Sequence, residues 1–270
     1  MIFALGQAFG ALVRLGVWLV VLALLFIPLE RRFAQVRQPI LRGRWAEDLA
    51  FYFLNGILPP LLILVPLSLL TAIVRGLGAN GFYAAVASLP LAVRLLAAVV
   101  VGEIGAYWGH RLSHHIPWLW RIHAVHHSAE QLDWLVNSRA HPLDFVITRS
   151  FGLAPVLLLG LAQPIGDGPD SVLVVYVAVG TLWSYLVHAN LRWRFGALEQ
   201  LLATPAFHHW HHANDDPRHI NHNYAAIFPW VDRLFGTLLL PSRRWPASYG
   251  LTVSAGHSPA VDQAPVANGQ

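Results

Sequence analysis

Fourteen of the 15 histidines lie between residues 110 and 222, and most of them fall in three clusters. The first is His110-Arg111-Leu112-Ser113-His114, with His115 next; the second is His123-Ala124-Val125-His126-His127; the third is His208-His209-Trp210-His211-His212. On a helix, residues at i, i+3 and i+4 lie on one side, about 5–6 Å apart at Cβ. His110 and His114 therefore point the same way, as do His123, His126 and His127, and again His208, His211 and His212. A neutral imidazole is a good ligand for first-row metals. Eight such nitrogens at a common point exceed the four that one tetrahedral ion takes, so two ions are expected. His115 and His209 sit about 100° off their clusters' faces and are expected to support ligands or meet solvent. His188 ends a charge-free stretch where an unpaired imidazole is costly, and His141 precedes Pro142. Each of these two reads either as a further ligand or as a hydrogen-bonded interfacial histidine. His219 and His222 read as surface or gating residues, and His257 lies in the tail.

The carboxylates are few. Glu103 is seven residues before His110, so it either orients a ligand from behind or pairs with Arg94. Asp133 and Asp144 are candidates to anchor imidazole N–H groups. The Glu-x-x-His pattern of soluble di-iron bundles is missing. So are Gly-x-Ser-x-Gly and a Walker loop, which removes the usual serine hydrolase and P-loop sites. With no Cys at all, disulfide scaffolds, Cys-ligated zinc, iron–sulfur clusters, c-type haem attachment and Cys nucleophiles are excluded.

Lipid is the solvent that this composition suits. The chain has 270 residues, 56% hydrophobic and only 12% charged, with a mean hydropathy of +0.50. Soluble domains carry about 25% charged residues. Five apolar segments are expected to span a bilayer: Ala8–Leu29, Leu49–Val74, a stretch from Gly76 to Gly102 broken by Arg94, Ser150–Gly166 and Ser171–Leu191. No small-residue cleavage site follows the first, and Glu30-Arg31-Arg32 reads as a stop, so a span is expected there, with a signal peptide as the alternative. Segments two and three, and four and five, should form hairpins, with Pro59, Pro60 and Pro66 kinking the second. Gly105 and Gly109 are spaced to let another helix approach.

All 18 basic residues are Arg, and 15 of them follow segments one, three and five, while Arg75 stands on the other side. The positive-inside rule then puts the N-terminus outside and the C-terminal half in the cytoplasm. The same distribution accounts for the basic pI and argues against nucleic acid as a partner. The fold expected is an all-α integral membrane protein of four to five transmembrane helices in hairpins, with a cytoplasmic, helical, histidine-rich metal-binding cap. A Pro/Ala/Gly/Gln-rich tail from about Ser254 is expected to be disordered.

The three clusters and their surroundings resemble the fatty acid hydroxylase/sterol desaturase superfamily. The resemblance extends over Arg121–Ser128, Arg139–Asp144, His188-Ala189-Asn190, Thr204–His208, Asn223-Tyr224 and Trp230–Thr237. The 13-residue step from His110 to His123 is similar to the alkylglycerol monooxygenase and sterol-oxidase branch. This resemblance implies a membrane-bound lipid C–H oxidase that uses O₂ at a non-haem centre of two iron ions, hydroxylating or desaturating a sterol, fatty-acyl or other lipid. It assigns ligation to His110, His114, His123, His126, His127, His208, His211 and His212, with His188 and His141 at further positions that the family tends to keep as His. It divides the chain into membrane spans and an Arg-rich loop (1–94), a catalytic domain (95–240) and a tail (241–270). An external electron donor, a ferredoxin or cytochrome b5 with its reductase, is implied, and the bacterial inner membrane is the expected location. The alternative from another class is a membrane metal-handling protein or transporter, which predicts ligands strung along a transmembrane path.

Overall fold

The computed structural model describes residues 2–76, 78, 80–162, 171–240 and 244–251. The turn holding Asp167 and Asp170, His257 and the tail from Ser254 lie outside the described residues. The regular elements among them are all helices, with isolated bridges at Ala34–Leu191 and Ala213–Tyr249 but no strand. Four helices are long and apolar enough to cross a membrane, over Phe9–Phe33, Trp45–Val74, Leu91–His115 and Ser171–His188. They belong to α1 (Ile2–Phe33), α2 (Trp45–Gly76), α4 (Leu91–His115) and α7 (Ser171–His188). Their outer sides expose Leu24 (72%), Val65 (70%) and Leu96 (65%), a surface that only an apolar solvent would favour. The chain is thus an all-helical membrane protein.

Two sequence expectations shift. The third apolar stretch divides into a short α3 (Asn80–Ala87) and α4, because Pro90 has no N–H to give and stands at the N-cap of α4. The fourth segment starts eight residues early, as α6 (Pro142–Leu158). Its 17 residues reach about 25 Å, short of the hydrocarbon thickness. The second segment is one helix, α2, that runs through Pro59, Pro60 and Pro66.

The bundle core lies where α4 packs along α6 and α6 along α2. Small residues make this possible: a Cβ on Gly105 would collide with the carbonyl oxygen of Phe151, and one on Gly109 would come to 2.8 Å from the Phe151 Cβ. The Gly pair thus sets the closeness of α4 and α6, and with it the positions of the histidines at the end of α4.

Short helices complete the cap. α5 (Pro117–His127), α8 (Pro205–His211) and α9 (Pro229–Leu234) each begin on a proline, a residue pre-set for the first helical position. Thr204 caps α8 by accepting from the Phe207 N–H. A 3₁₀ turn at Trp134–Ser138 is capped by Asp133, which accepts from Leu135 and Val136.

Candidate metal centre

Nine imidazoles converge in two adjoining groups. His110, His114, His123, His127 and His211 form one; His126, His188, His208 and His212 form the other. Within each group the candidate ligand atoms lie within 4.8 Å of one another. α4 and α5 bring the first group its i, i+4 pairs, His110/His114 and His123/His127. α8 and its C-cap bring the second group its own pair, His208/His212. Each HxxHH cluster also sends its i+3 member to the other group: His126 from α5 and His211 from α8. The sequence expectation of one common point is therefore replaced by two, since residues i+3 and i+4 diverge by about 100° around a helix.

Hydrogen bonds fix which nitrogen faces inward. The Nδ1–H groups of His110, His126, His188 and His211 donate to the main-chain carbonyls of Tyr224 (2.8 Å), Arg139 (2.9 Å), Ser184 (2.7 Å) and His222 (2.8 Å). His123 Nδ1–H donates to both carboxylate oxygens of Asp144, at 3.0 Å each. These partners leave each Nε2 as a bare lone pair. Yet the Nε2 atoms of His110 and His123 stand 3.1 Å apart, as do those of His126 and His188. Two lone pairs cannot hydrogen-bond to each other. His188 Nε2 is also 3.0 Å from that of His208, while Nε2 of His114 and of His211 are buried without a partner. Imidazole–metal bonds of about 2.0–2.1 Å put neighbouring ligand nitrogens about 3–3.4 Å apart, so a cation in each group resolves the contacts.

Electrostatics agree. Burial, reinforced by the neighbouring imidazoles, lowers the His126 pKa to about 4 and holds His127, His208, His211 and His212 well below the ordinary histidine value. At neutral pH these rings are uncharged, the form that binds metal. All-nitrogen sites suit iron, zinc, copper and nickel alike, so the donors specify a transition metal without choosing one.

His188 joins the eight cluster histidines, but His141 does not. Pro142 starts α6, which makes His141 the N-cap, and its Nδ1 accepts from the Leu143 N–H at 3.2 Å. His115 is bound to its own helix through the Arg111 carbonyl. His209 is buried but points away, toward the Ala189 carbonyl and the Tyr249 hydroxyl. Tyr249 and Trp245 both pack on it, so residues 244–251 form part of the cap. His219 pairs with Asp215, and His222 donates to the Ile220 carbonyl. Glu103 neither orients His110 nor pairs with Arg94; it accepts from the main-chain N–H groups of Ile227 and Phe228. Arg94 instead donates to the Leu161 carbonyl.

Asp144 anchors an imidazole as expected, whereas Asp133 belongs to a buried ionic cluster. There Arg42 joins Asp133 to Asp48, and Arg139 also holds Asp48. That cluster fixes the segment whose Arg139 carbonyl orients His126, and nothing in the residue spacing signals it. Asp232 was also illegible: it accepts from the N–H groups of Tyr224 and Ala225, holding the carbonyl that aligns His110. Asn221 and Asn223 have φ of 64° and 58°, a region that Asn tolerates better than most residues. Their residue type was the one available hint that the 221–224 segment folds tightly.

A mouth of about 50 Å³ opens onto both groups, walled by His114, His127, His211 and His212 with Trp120, Ile220 and Leu251 around it.

The profile of the fatty acid hydroxylase family matches residues 95–237. The chain is similar to an ornithine lipid hydroxylase of Rhizobium tropici, 33% identical over 167 residues, which are 60% of this chain and 47% of that protein. It is 34% identical to the alkylglycerol monooxygenase of Danio rerio over 154 residues, covering 56% of this chain and 31% of the relative. A putative methylsterol monooxygenase of Dictyostelium discoideum is 26% identical over 220 residues, 78% of this chain and 75% of the relative. The chain thus spans about half or less of the length of the first two relatives. No solved structure matches it.

Proposed function

This chain belongs to the fatty acid hydroxylase family, and on that premise we propose that it is a membrane-bound, O₂-dependent lipid C–H oxidase with a di-iron centre. The observation that carries the reading is the pair of imidazole groups with their Nε2 lone pairs turned inward at 3.0–3.3 Å. The reaction is hydroxylation or desaturation, since the relatives include a hydroxylase, monooxygenases and a sterol desaturase. Their lipids differ in class, so the shared requirement is a C–H bond on a membrane lipid.

The five-histidine group would hold one iron and the four-histidine group the other. Bound there, the pair would supply O₂ activation and the oxidising power for C–H cleavage. The protein's share is positional. Main-chain carbonyls and Asp144 keep the imidazoles aimed. Trp120, Ile220 and Leu251 form an apolar collar that seats a short hydrocarbon segment and excludes water. Gly76, Gly78 and Gly81 have the Gly-x-Gly-x-x-Gly spacing but stand at the end of the membrane-spanning α2, where a dinucleotide site needs a strand, so electrons would come from a separate ferredoxin or cytochrome b5 with its reductase. The Arg distribution supports an orientation with the histidines on the cytoplasmic side of a bacterial inner membrane. The transporter alternative is weakened by the gathering of all nine imidazoles into two adjoining groups.

The test is metal analysis of the purified protein together with comparative lipidomics of cells bearing the wild type or His126→Ala. About two irons per chain and a hydroxylated or desaturated lipid found with the wild type alone are expected. Absence of iron, with identical lipid profiles, would overturn the proposal.

A further inference from the structure

A second cavity, of about 330 Å³, lies apart from the metal-facing imidazoles, where α1 ends. Its wall includes Glu30, Arg31, Arg37, Asp133, Trp134 and Asn190. The charges in it are unequal in their partners. Asp133 is matched by Arg42. Glu30 uses one carboxylate oxygen to accept from the main-chain N–H groups of Trp134 and Asn190, and makes no ion pair among the described residues. Arg31 and Arg37 are exposed and likewise form no ion pair among the described residues. The cavity thus has an unmatched carboxylate and, on the same wall, two unmatched guanidinium groups.

Its depth identifies the ligand's setting. Arg31 and Arg32 form the last turn of the first span, the level at which a hydrocarbon core gives way to headgroups. Val36 and Ile40 on its wall are each half exposed (50%). A volume of this size matches the small end of ligand sites, enough for a headgroup but not for its chains.

We infer that this cavity binds the headgroup of a zwitterionic membrane lipid, its ammonium on Glu30 and its anionic group on Arg31 and Arg37. Phosphatidylethanolamine has this chemistry, with acyl chains that continue along the outer side of α1. The lipid is a resident ligand of the interface; the site stands on the cavity alone and does not depend on the oxidase reading.

Native mass spectrometry of the intact, metal-loaded protein tests it, with phosphatidylethanolamine and phosphatidylglycerol offered in equal amounts. Wild type should retain the ethanolamine lipid roughly tenfold better, in keeping with a charge-assisted contact. Arg31→Gln with Arg37→Gln should weaken retention of both lipids about tenfold. Glu30→Gln keeps an oxygen to accept the two N–H groups but removes the charge; it should abolish the preference while phosphatidylglycerol binding persists. Arg37→Gln alone, on the exposed segment, is the check should Glu30→Gln misfold, and should lower retention of both lipids severalfold. Equal retention of the two lipids by wild type, or variants that retain both as wild type does, would overturn the site. So would water-soluble glycerophosphoethanolamine binding as tightly as the lipid. Iron content is read in the same samples and should not change, so failure of this site is distinguishable from failure of the metal centre.

Discussion

The two imidazole groups are built from the same residue type but rest on different supports. The four-histidine group is fully buried, and two of its members hang from rigid parts. His188 bonds to the carbonyl one turn back in α7, and His126 to the Arg139 carbonyl, which the Arg42–Asp48–Arg139 cluster holds in place. The five-histidine group leans on the 221–224 segment, through Asn221, the His222 carbonyl and the Tyr224 carbonyl, and on Asp144. One of its members, His110, is only half-buried, and three others line the mouth. The difference teaches that one group is framed by helices and ion pairs while the other is framed by a turn that faces the opening.

The largest expected effects separate the groups. His188→Ala leaves three imidazoles in the four-histidine group and should lower the metal from about two ions per chain toward one and abolish activity. His114→Ala, by contrast, leaves four in the five-histidine group and should weaken metal retention there without emptying it. If either variant loses both ions together, the groups are one cooperative site and the comparison fails. Next comes Asp144→Asn, which leaves every ligand in place but removes the carboxylate behind His123. Metal affinity of the five-histidine group should fall about 10–100-fold with the other group unaffected, as read by competition with a chelator.

A smaller effect is expected from pH. His126 and His209 have folded pKa values of about 4, below the ordinary histidine value of 6.5, because they are buried. Between those values the unfolded chain binds more protons than the folded one, so stability rises with pH and is lost as pH falls from about 6.5 toward 4. Asp232, raised by burial to about 6, acts in the opposite sense but is outweighed by the lowered histidines. Thermal melts of metal-free protein should therefore show a lower Tm at pH 5 than at pH 7.5, and added metal should protect at the higher pH. The smallest effect is that of His141→Gln. Since His141 only caps α6, metal content should be unchanged, with a stability loss of about 0.5–2 kcal/mol at most; loss of an ion would return His141 to the ligand set.

Much of the fold was legible because hydropathy over about 20 residues reports spans directly. Where it misled, a local event intervened: Pro90 divided the third stretch, and the His141-Pro142 pair started α6 ahead of the apolar run. The cap was harder to read. Glu103 and Asp133 found partners 124 and 91 residues away, which no short-range pattern encodes.

The sequence alone determined that imidazoles at helical spacing would gather, for i and i+4 are neighbours on any helix regardless of what surrounds it. Only the tertiary structure decided that His126 and His211 cross over to the opposite group, and that His188 joins while His141 does not. Those outcomes depend on where α4, α5, α7 and α8 lie relative to one another, and that is fixed by the Gly105 contact with α6, by buried ion pairs and by carbonyls that carry no residue-specific signature.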